Sequence, residues 1–206
     1  EARGLNPGSP TEGLGVMFVN AGAQGYSAHR GMQFYRDTVE RVRQLPGVQS
    51  VAWGEAVPQF SGQAVSRRIF PEGRELSQEL RSLFVPFNGI WPGYFATVGI
   101  PILTGRDFTE ADREGSDLVA IVNETTARMF WPGEDPVGKR FKHRLNPNFY
   151  TVVGVARDAK YGGLGSVTTP HAYYAALQYY TPAMTLCVPE GILEAPDEPI
   201  GAIGRR

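Results

Sequence analysis

Glycine and proline interrupt this chain so often that few of its secondary-structure elements can run long. There are 25 Gly and 16 Pro among 206 residues, against a usual share of roughly 12% for the two together. Such punctuation permits short strands and helices joined by many turns, and it predicts a loop-rich α+β class. Apolar runs such as residues 118–122 fall far below the ~20 residues a membrane-crossing helix needs. No basic-apolar-small signal peptide opens the chain, and it begins at Glu1 without an initiator Met, as expected of an excised piece of a longer parent.

Between the breaks the hydrophobic periodicity is readable. A first strand is expected over 14–19. A helix follows Ser27 as N-cap, with Met32, Tyr35, Val39 and Val42 on one face and charged residues on the others. Pro46-Gly47 stops it before a strand over 48–53, giving a strand-helix-strand unit. Weaker strand signals lie at 66–70 and 83–87. Pro92 suits the first position of a short helix over 93–98 that Gly99 ends as a left-handed cap, with a strand at 100–103 after it. Gly105 turns the chain into an acidic loop. Residues 118–122 read as a buried strand, and Asn123 caps a helix over 124–130 whose Phe130 is expected in the core. Further strands are expected at 150–156, 171–176 and 184–188, with a glycine loop near 162–165. Residues 189–206 hold three Pro and three Gly, which leaves no room for a helix of ordinary length.

Charge and composition remove several function classes. Apolar residues make up 42%, aromatics 11%, and the formal net charge is -1. Neither a disordered chain nor a polybasic nucleic-acid binder has that balance. Cys187 is the only cysteine, so an internal disulfide and a multi-thiolate zinc site are both excluded.

Motifs that carry chemistry are few. Gly133-x-x-x-x-Gly138-Lys139 has the spacing of a phosphate loop. Arg140 stands where a magnesium-holding hydroxyl belongs, Pro136 removes a backbone donor, and a helix precedes it where a strand should. The expectation is a structural turn. Asp107, Glu110, Asp112, Glu114 and Asp117 lack the alternating ligands of a calcium loop, and a solvated loop is expected. His29, His143 and His171 lie in three different elements, with no nucleophile elbow in the chain. Asn123-Glu124-Thr125 matches a glycosylation acceptor, but helix capping is the expected role. The aromatics Trp91, Tyr94, Phe95, Phe130, Trp131, Tyr173, Tyr174, Tyr179 and Tyr180 read mainly as core and contact residues, with exposed Tyr open to partner recognition.

Several segments, taken together and in order, give the chain a resemblance. They are Arg41-Val-Arg-Gln-Leu-Pro-Gly-Val48 with Ser50-Val51, Pro92-Gly-Tyr-Phe95, Gly99-Ile-Pro101, Gly105-Arg-Asp-Phe108 with Asp112, Ala120-Ile-Val-Asn-Glu124, Ala127-Arg128, Phe130-Trp-Pro-Gly-Glu-Asp-Pro-Val-Gly-Lys139 and Val152-Val-Gly-Val155 with Asp158. Over residues 1–185 this string resembles the MacB-like periplasmic core domain of bacterial ABC transporter permeases, in the FtsX-like superfamily.

The resemblance implies a two-lobed α+β fold. A porter-like lobe of strand-helix-strand units would span 14–58 plus 149–206, an inserted α+β lobe 59–148, and an extended lead-in 1–13. It also implies a non-enzymatic extracytoplasmic (periplasmic) domain at the bacterial inner membrane, coupling cytoplasmic ATP-driven change to export or periplasmic work. The implied partners are the permease's own transmembrane helices, a second permease half or protomer, a cytoplasmic ATPase reached through the membrane part, and a periplasmic adaptor. Nucleic acid is not among them. No catalytic, cofactor-binding or metal residue is expected, and no cofactor. The competing expectations are a secreted hydrolase using His143 or His171, and a periplasmic ligand-binding or adhesion module with a pocket lined by the tyrosines of 173–180.

Overall fold

The computed structural model describes residues 13–60, 65–161 and 168–189. Residues 1–12 of the expected lead-in, the whole glycine loop at 162–165 and the tail beyond 189 lie outside these residues. In chain order the elements are β1 (Leu14–Asn20), α1 (Ala28–Arg43), β2 (Ala52–Gly54), β3 (Val65–Arg67), β4 (Ile69–Pro71), α2 (Gln78–Ser82), β5 (Val85–Ile90), α3 (Tyr94–Thr97), β6 (Ile102–Gly105), β7 (Val119–Asn123), α4 (Glu124–Phe130), β8 (Arg140–His143), β9 (Asn146–Ala156), β10 (Ala172–Ala175) and β11 (Ala183–Pro189). The class is α+β. One mixed sheet runs β1-β11-β2-β5-β10-β7-β9-β8-β4, with β3 beside β5 and β6 beside β9. The β5/β10 and β7/β9 pairs are parallel and the others antiparallel.

Local chemistry explains where the helices begin. The Ser27 hydroxyl accepts the Arg30 amide at 3.3 Å, and Tyr35, Val39 and Val42 are buried as the periodicity requires, while Met32 is half-buried. Trp53 Nε1 donates to the Tyr35 carbonyl at 3.0 Å and ties α1 to the sheet. Asn123 Oδ1 accepts the Thr126 amide at 3.0 Å, and Phe130 is fully buried. Gly99 has φ +71°, as its cap role demands. At α3 the start differs from the sequence expectation: Gly93, left-handed at φ 85°, is the N-cap, so Pro92 lies two residues before Tyr94, the first helical residue. The strand expected over 48–53 contracts to β2, because Gly47 sits at φ +83° and the segment after it lacks ladder partners up to Ala52. β8 and α2 had no counterpart in the sequence reading.

Two apolar cores lie on opposite sides of the central strands. Along β7, Val119 and Ile121 enter one core while Ala120 and Val122 enter the other. β10 does the same with Tyr173 and Ala175 against Ala172. This is the period-2 alternation of a strand covered on both faces. The first core joins α1, β1, β2, β11 and α3 around Trp53, Trp91 and Tyr94. Phe87, Phe130, Trp131 and Phe141 make up much of the second.

Candidate functional site

Two concave surfaces meet at the segment after β10. A groove of about 410 Å³ is lined by Glu55, Arg67, His143, Tyr174, Tyr179 and Tyr180 among others. A cleft of about 570 Å³ lies beside α1, with His29, Arg36, Arg113, Tyr179 and Tyr180 in its wall. The tyrosine pair Tyr179–Tyr180 therefore belongs to both.

The groove is organised by one carboxylate. Glu55 Oε1 accepts the Tyr174 and Thr181 hydroxyls, each at 2.6 Å, and Oε2 accepts the Gly89 amide at 2.8 Å. Three donors close to one side chain use up much of its accepting capacity and fix it. Burial pushes the Tyr174 hydroxyl far above its ordinary range, and the adjacent Glu55 adds to the effect. Opposite, Tyr150 donates to Tyr179 at 2.8 Å, and Asn146 Nδ2 reaches both hydroxyls at 3.1 Å. Tyr179, like Tyr174, is held neutral, first by burial and then by its bond with Tyr150. Such a wall can bind and orient a ligand through its hydroxyls and its one fixed carboxylate.

The histidines fall in different places. His143 lines the groove, its Nδ1 accepting the Leu145 amide at 3.2 Å and its Nε2 lying 3.4 Å from the Tyr150 hydroxyl. Burial, with Arg67 nearby, lowers its pKa to about 4. His171 is buried in the interior, stacked on Tyr161 at 4.2 Å between ring centroids, and its Nε2 has no hydrogen-bond partner. Burial lowers its pKa to about 3. His29 borders the α1 cleft. Cys187 is buried with its thiol pushed up to about 12. Among the described residues, the hydrogen bonds of the His143 ring go to the Leu145 amide and the Tyr150 hydroxyl, and His171 Nε2 makes none, although Ser66 lines a cleft with His143.

The glycine-lysine loop is occupied by its own chain. The Gly138 amide donates to Val152 O at 2.8 Å, Lys139 N to Pro136 O at 3.0 Å, and Val137 N to Asp135 Oδ1 at 3.0 Å. Lys139 Nζ is paired with Glu134 at 2.7 Å. A phosphate cradle needs those amides and that ammonium free. In the acidic loop, Asp112 takes both Arg106 guanidinium nitrogens, at 2.7 and 2.8 Å, and Glu110 pairs with Arg36 at 3.1 Å. Burial opposes the Asp112 charge, yet Arg106 and the Thr109 amide hold it below the usual carboxylate range. Among the described residues no group of three His, Cys, Asp or Glu side chains is placed to hold a metal.

A family model for the MacB-like periplasmic core domain matches residues 8–193. The chain belongs to that family. A macrolide export ATP-binding/permease protein MacB from Rhodospirillum rubrum is 36% identical over 103 residues, 49% of this chain and 16% of that protein. The match thus spans about a sixth of that relative's length. Among solved structures, the periplasmic region of MacB from Actinobacillus actinomycetemcomitans aligns with TM-score 0.54 at 18% identity, covering 89% of this chain and 78% of that one. The extracellular domain of the noncanonic ABC-type transporter YknZ from Gram-positive bacteria aligns at 0.52 and 15%, covering 92% and 87%. At these identities the likeness is one of fold. This MacB-like domain has, among its described residues, no helix long and apolar enough to cross a membrane.

Of the tyrosines singled out in the sequence, Tyr174, Tyr179 and Tyr180 line the groove and Tyr173 does not. Tyr173 is buried, its ring 4.8 Å from that of Phe95. Sequence reasoning missed Glu55, Arg67, Asn146 and Thr181, which come from four separate segments and share no motif. Only Glu55, a lone carboxylate after a buried apolar strand, carried a readable signal.

Proposed function

We propose that this domain is the extracytoplasmic coupling module of an ABC transporter permease, non-enzymatic itself, whose rearrangement transmits cytoplasmic ATP-driven change to export or other work outside the inner membrane. The observation that carries the reading is the match of residues 8–193 to the MacB-like periplasmic core domain. Proposed partners are the permease's own membrane helices, a second half or protomer, a cytoplasmic ATPase and a periplasmic adaptor.

The proposed moving parts are the lobes 14–58 with 149–206, and 59–148. The two apolar cores do not divide along these bounds, because both pack against one continuous sheet. Residues Ile90, Tyr94 and Phe108 join the first core and Tyr150 and Val152 the second. Any relative movement of the proposed lobes therefore has to pass through β5, β7, β9 and β10, which contribute to both cores.

The test uses the full-length parent protein in intact cells. A cysteine placed at Leu145, which is 76% exposed, should react with a membrane-impermeant maleimide, whereas buried Cys187 gives little background. Labelling only after lysis would overturn the location. Coupling is tested by removing residues 13–189 from the parent: ATP hydrolysis should persist while export or its periplasmic substitute is lost.

A further inference from the structure

One surface beside the tyrosine groove, which shares Arg67, His143 and Leu145 with it, carries more exposed apolar area and unpaired positive charge than folding requires. Phe84 is 54% exposed and Leu145 76%. They line a shallow cleft of about 170 Å³ with Arg67, Arg68 and Arg144. The Arg68 guanidinium lies 4.6 Å over the Phe84 ring centroid and holds it as a platform. Other cations, Arg36, Arg74, Arg106, Arg128, Lys139 and Arg140, have carboxylate partners. None of the three arginines here forms a salt bridge among the described residues, and no carboxylate lines this cleft.

The backbone adds a second feature. Among the described residues β3 pairs with β5 along one edge only, which leaves the amide and carbonyl groups of its other edge without a ladder partner there, and Val65 at its start is 52% exposed. An open edge beside apolar side chains is where an extended segment adds as a strand.

We propose that this cleft docks an extended acidic protein segment, with an apolar side chain seated between Phe84 and Leu145 and flanking carboxylates on Arg67, Arg68 and Arg144. Charge complementarity sets the sign of the partner. The concave shape and the open strand edge favour a peptide over an anionic lipid surface, because a lipid headgroup cannot use the backbone edge. With a formal net charge of -1 for the chain, the attraction is local to this cleft. The inference stands apart from the transporter reading, since it uses only this surface.

The experiment is fluorescence anisotropy of a fluorescein-labelled peptide, Ac-EELFEE-amide, titrated with the 206-residue chain. Ac-KKLFKK-amide and Ac-EEGGEE-amide are the controls. Saturable binding of the acidic apolar peptide is expected, with both controls at least ~10-fold weaker and affinity falling as salt rises from about 0.05 to about 0.5 M. Arg144→Glu together with Leu145→Ser should weaken it at least ~10-fold. Both positions are exposed in the turn between β8 and β9, so the fold is retained, as circular dichroism will verify. Arg67→Glu provides an independent variant on β3. The proposal is overturned by absence of saturation up to about 1 mM peptide, by equal binding of either control, or by unchanged affinity in both variants. Binding to phosphatidylglycerol vesicles without binding to the peptide also overturns it and assigns the cleft to lipid.

Discussion

The Tyr180 side chain rests directly against the backbone of Gly31 in α1, so closely that a β-carbon at residue 31 would overlap the Tyr180 hydroxyl and ring. The ring is held there by stacking on Tyr35, at 6.2 Å between centroids and 29° between planes. Glycine inside a helix ordinarily costs about 1 kcal/mol relative to alanine. Here it makes room for the residue that walls both the groove and the α1 cleft.

Gly31→Ala should therefore destabilise the protein by about 1–2 kcal/mol, because displacing Tyr180 outweighs the gain in helix propensity. In a Tyr180→Ala background the same substitution should become stabilising. Urea unfolding of the four proteins in this cycle measures the reversal. An unchanged sign would show that Tyr180 does not govern the site.

His171 predicts an acid limb. Its folded pKa of about 3 lies below the unfolded value of about 6.5, so the unfolded chain binds more protons between those values. Stability from the neutral ring is fully present above about 6.5 and is lost as pH falls toward about 3, by an amount on the order of a few kcal/mol. His171→Phe keeps a ring for Tyr161 and removes a buried nitrogen without a partner. Its stability against pH, followed by thermal unfolding from pH 7 to pH 4, should fall less steeply than that of the parent; equal slopes would refute the assignment.

Gly105 and Gly154 face each other across β6 and β9. Gly105 has φ +74°, and a β-carbon there would overlap the Val153 carbonyl oxygen, which is backbone and cannot swing aside. Gly115, at φ +87°, has nothing within 4 Å of the corresponding position. Gly105→Ala should cost about 2 kcal/mol or more and Gly115→Ala about 1 kcal/mol, since only the first adds a backbone collision to the left-handed strain. Equal costs in chemical denaturation would mean that the close approach is unimportant.

Calorimetric titration with ATP and magnesium should give no saturable heat. The amides of Val137, Gly138 and Lys139 are already used within the chain, and Lys139 is paired with Glu134. Lys139→Ala should leave that result unchanged. Saturable binding that Lys139→Ala abolishes would refute the structural-turn reading.

Much of the fold was legible because it depends on local signals. Ser27 and Asn123 announced their helices, since a cap is a bond between residues three apart. Gly99 announced its turn through a backbone conformation that glycine adopts readily. Pro92 misled by two positions because left-handed Gly93 caps the helix and Tyr94 begins it. β8 was missed although Phe141 and His143 alternate with exposed Arg140 and Lys142. Four residues are a short sample of a period-2 pattern, and the preceding loop motif drew the reading away.

The sequence by itself determined the class, the caps, the breaks, the failed phosphate loop and the family, for these rest on neighbouring residues or on ordered strings of them. Tertiary structure alone decided that Tyr173 is core while Tyr174 faces Glu55, a one-residue difference set by which face of β10 meets which core. It also decided that Glu55, Tyr174 and Thr181 converge and that Arg67, Arg68 and Arg144 share a cleft without carboxylates. Those residues are up to 126 positions apart. Their meeting depends on strand order and register in an eleven-stranded sheet, which many distant pairings fix together and no local pattern records.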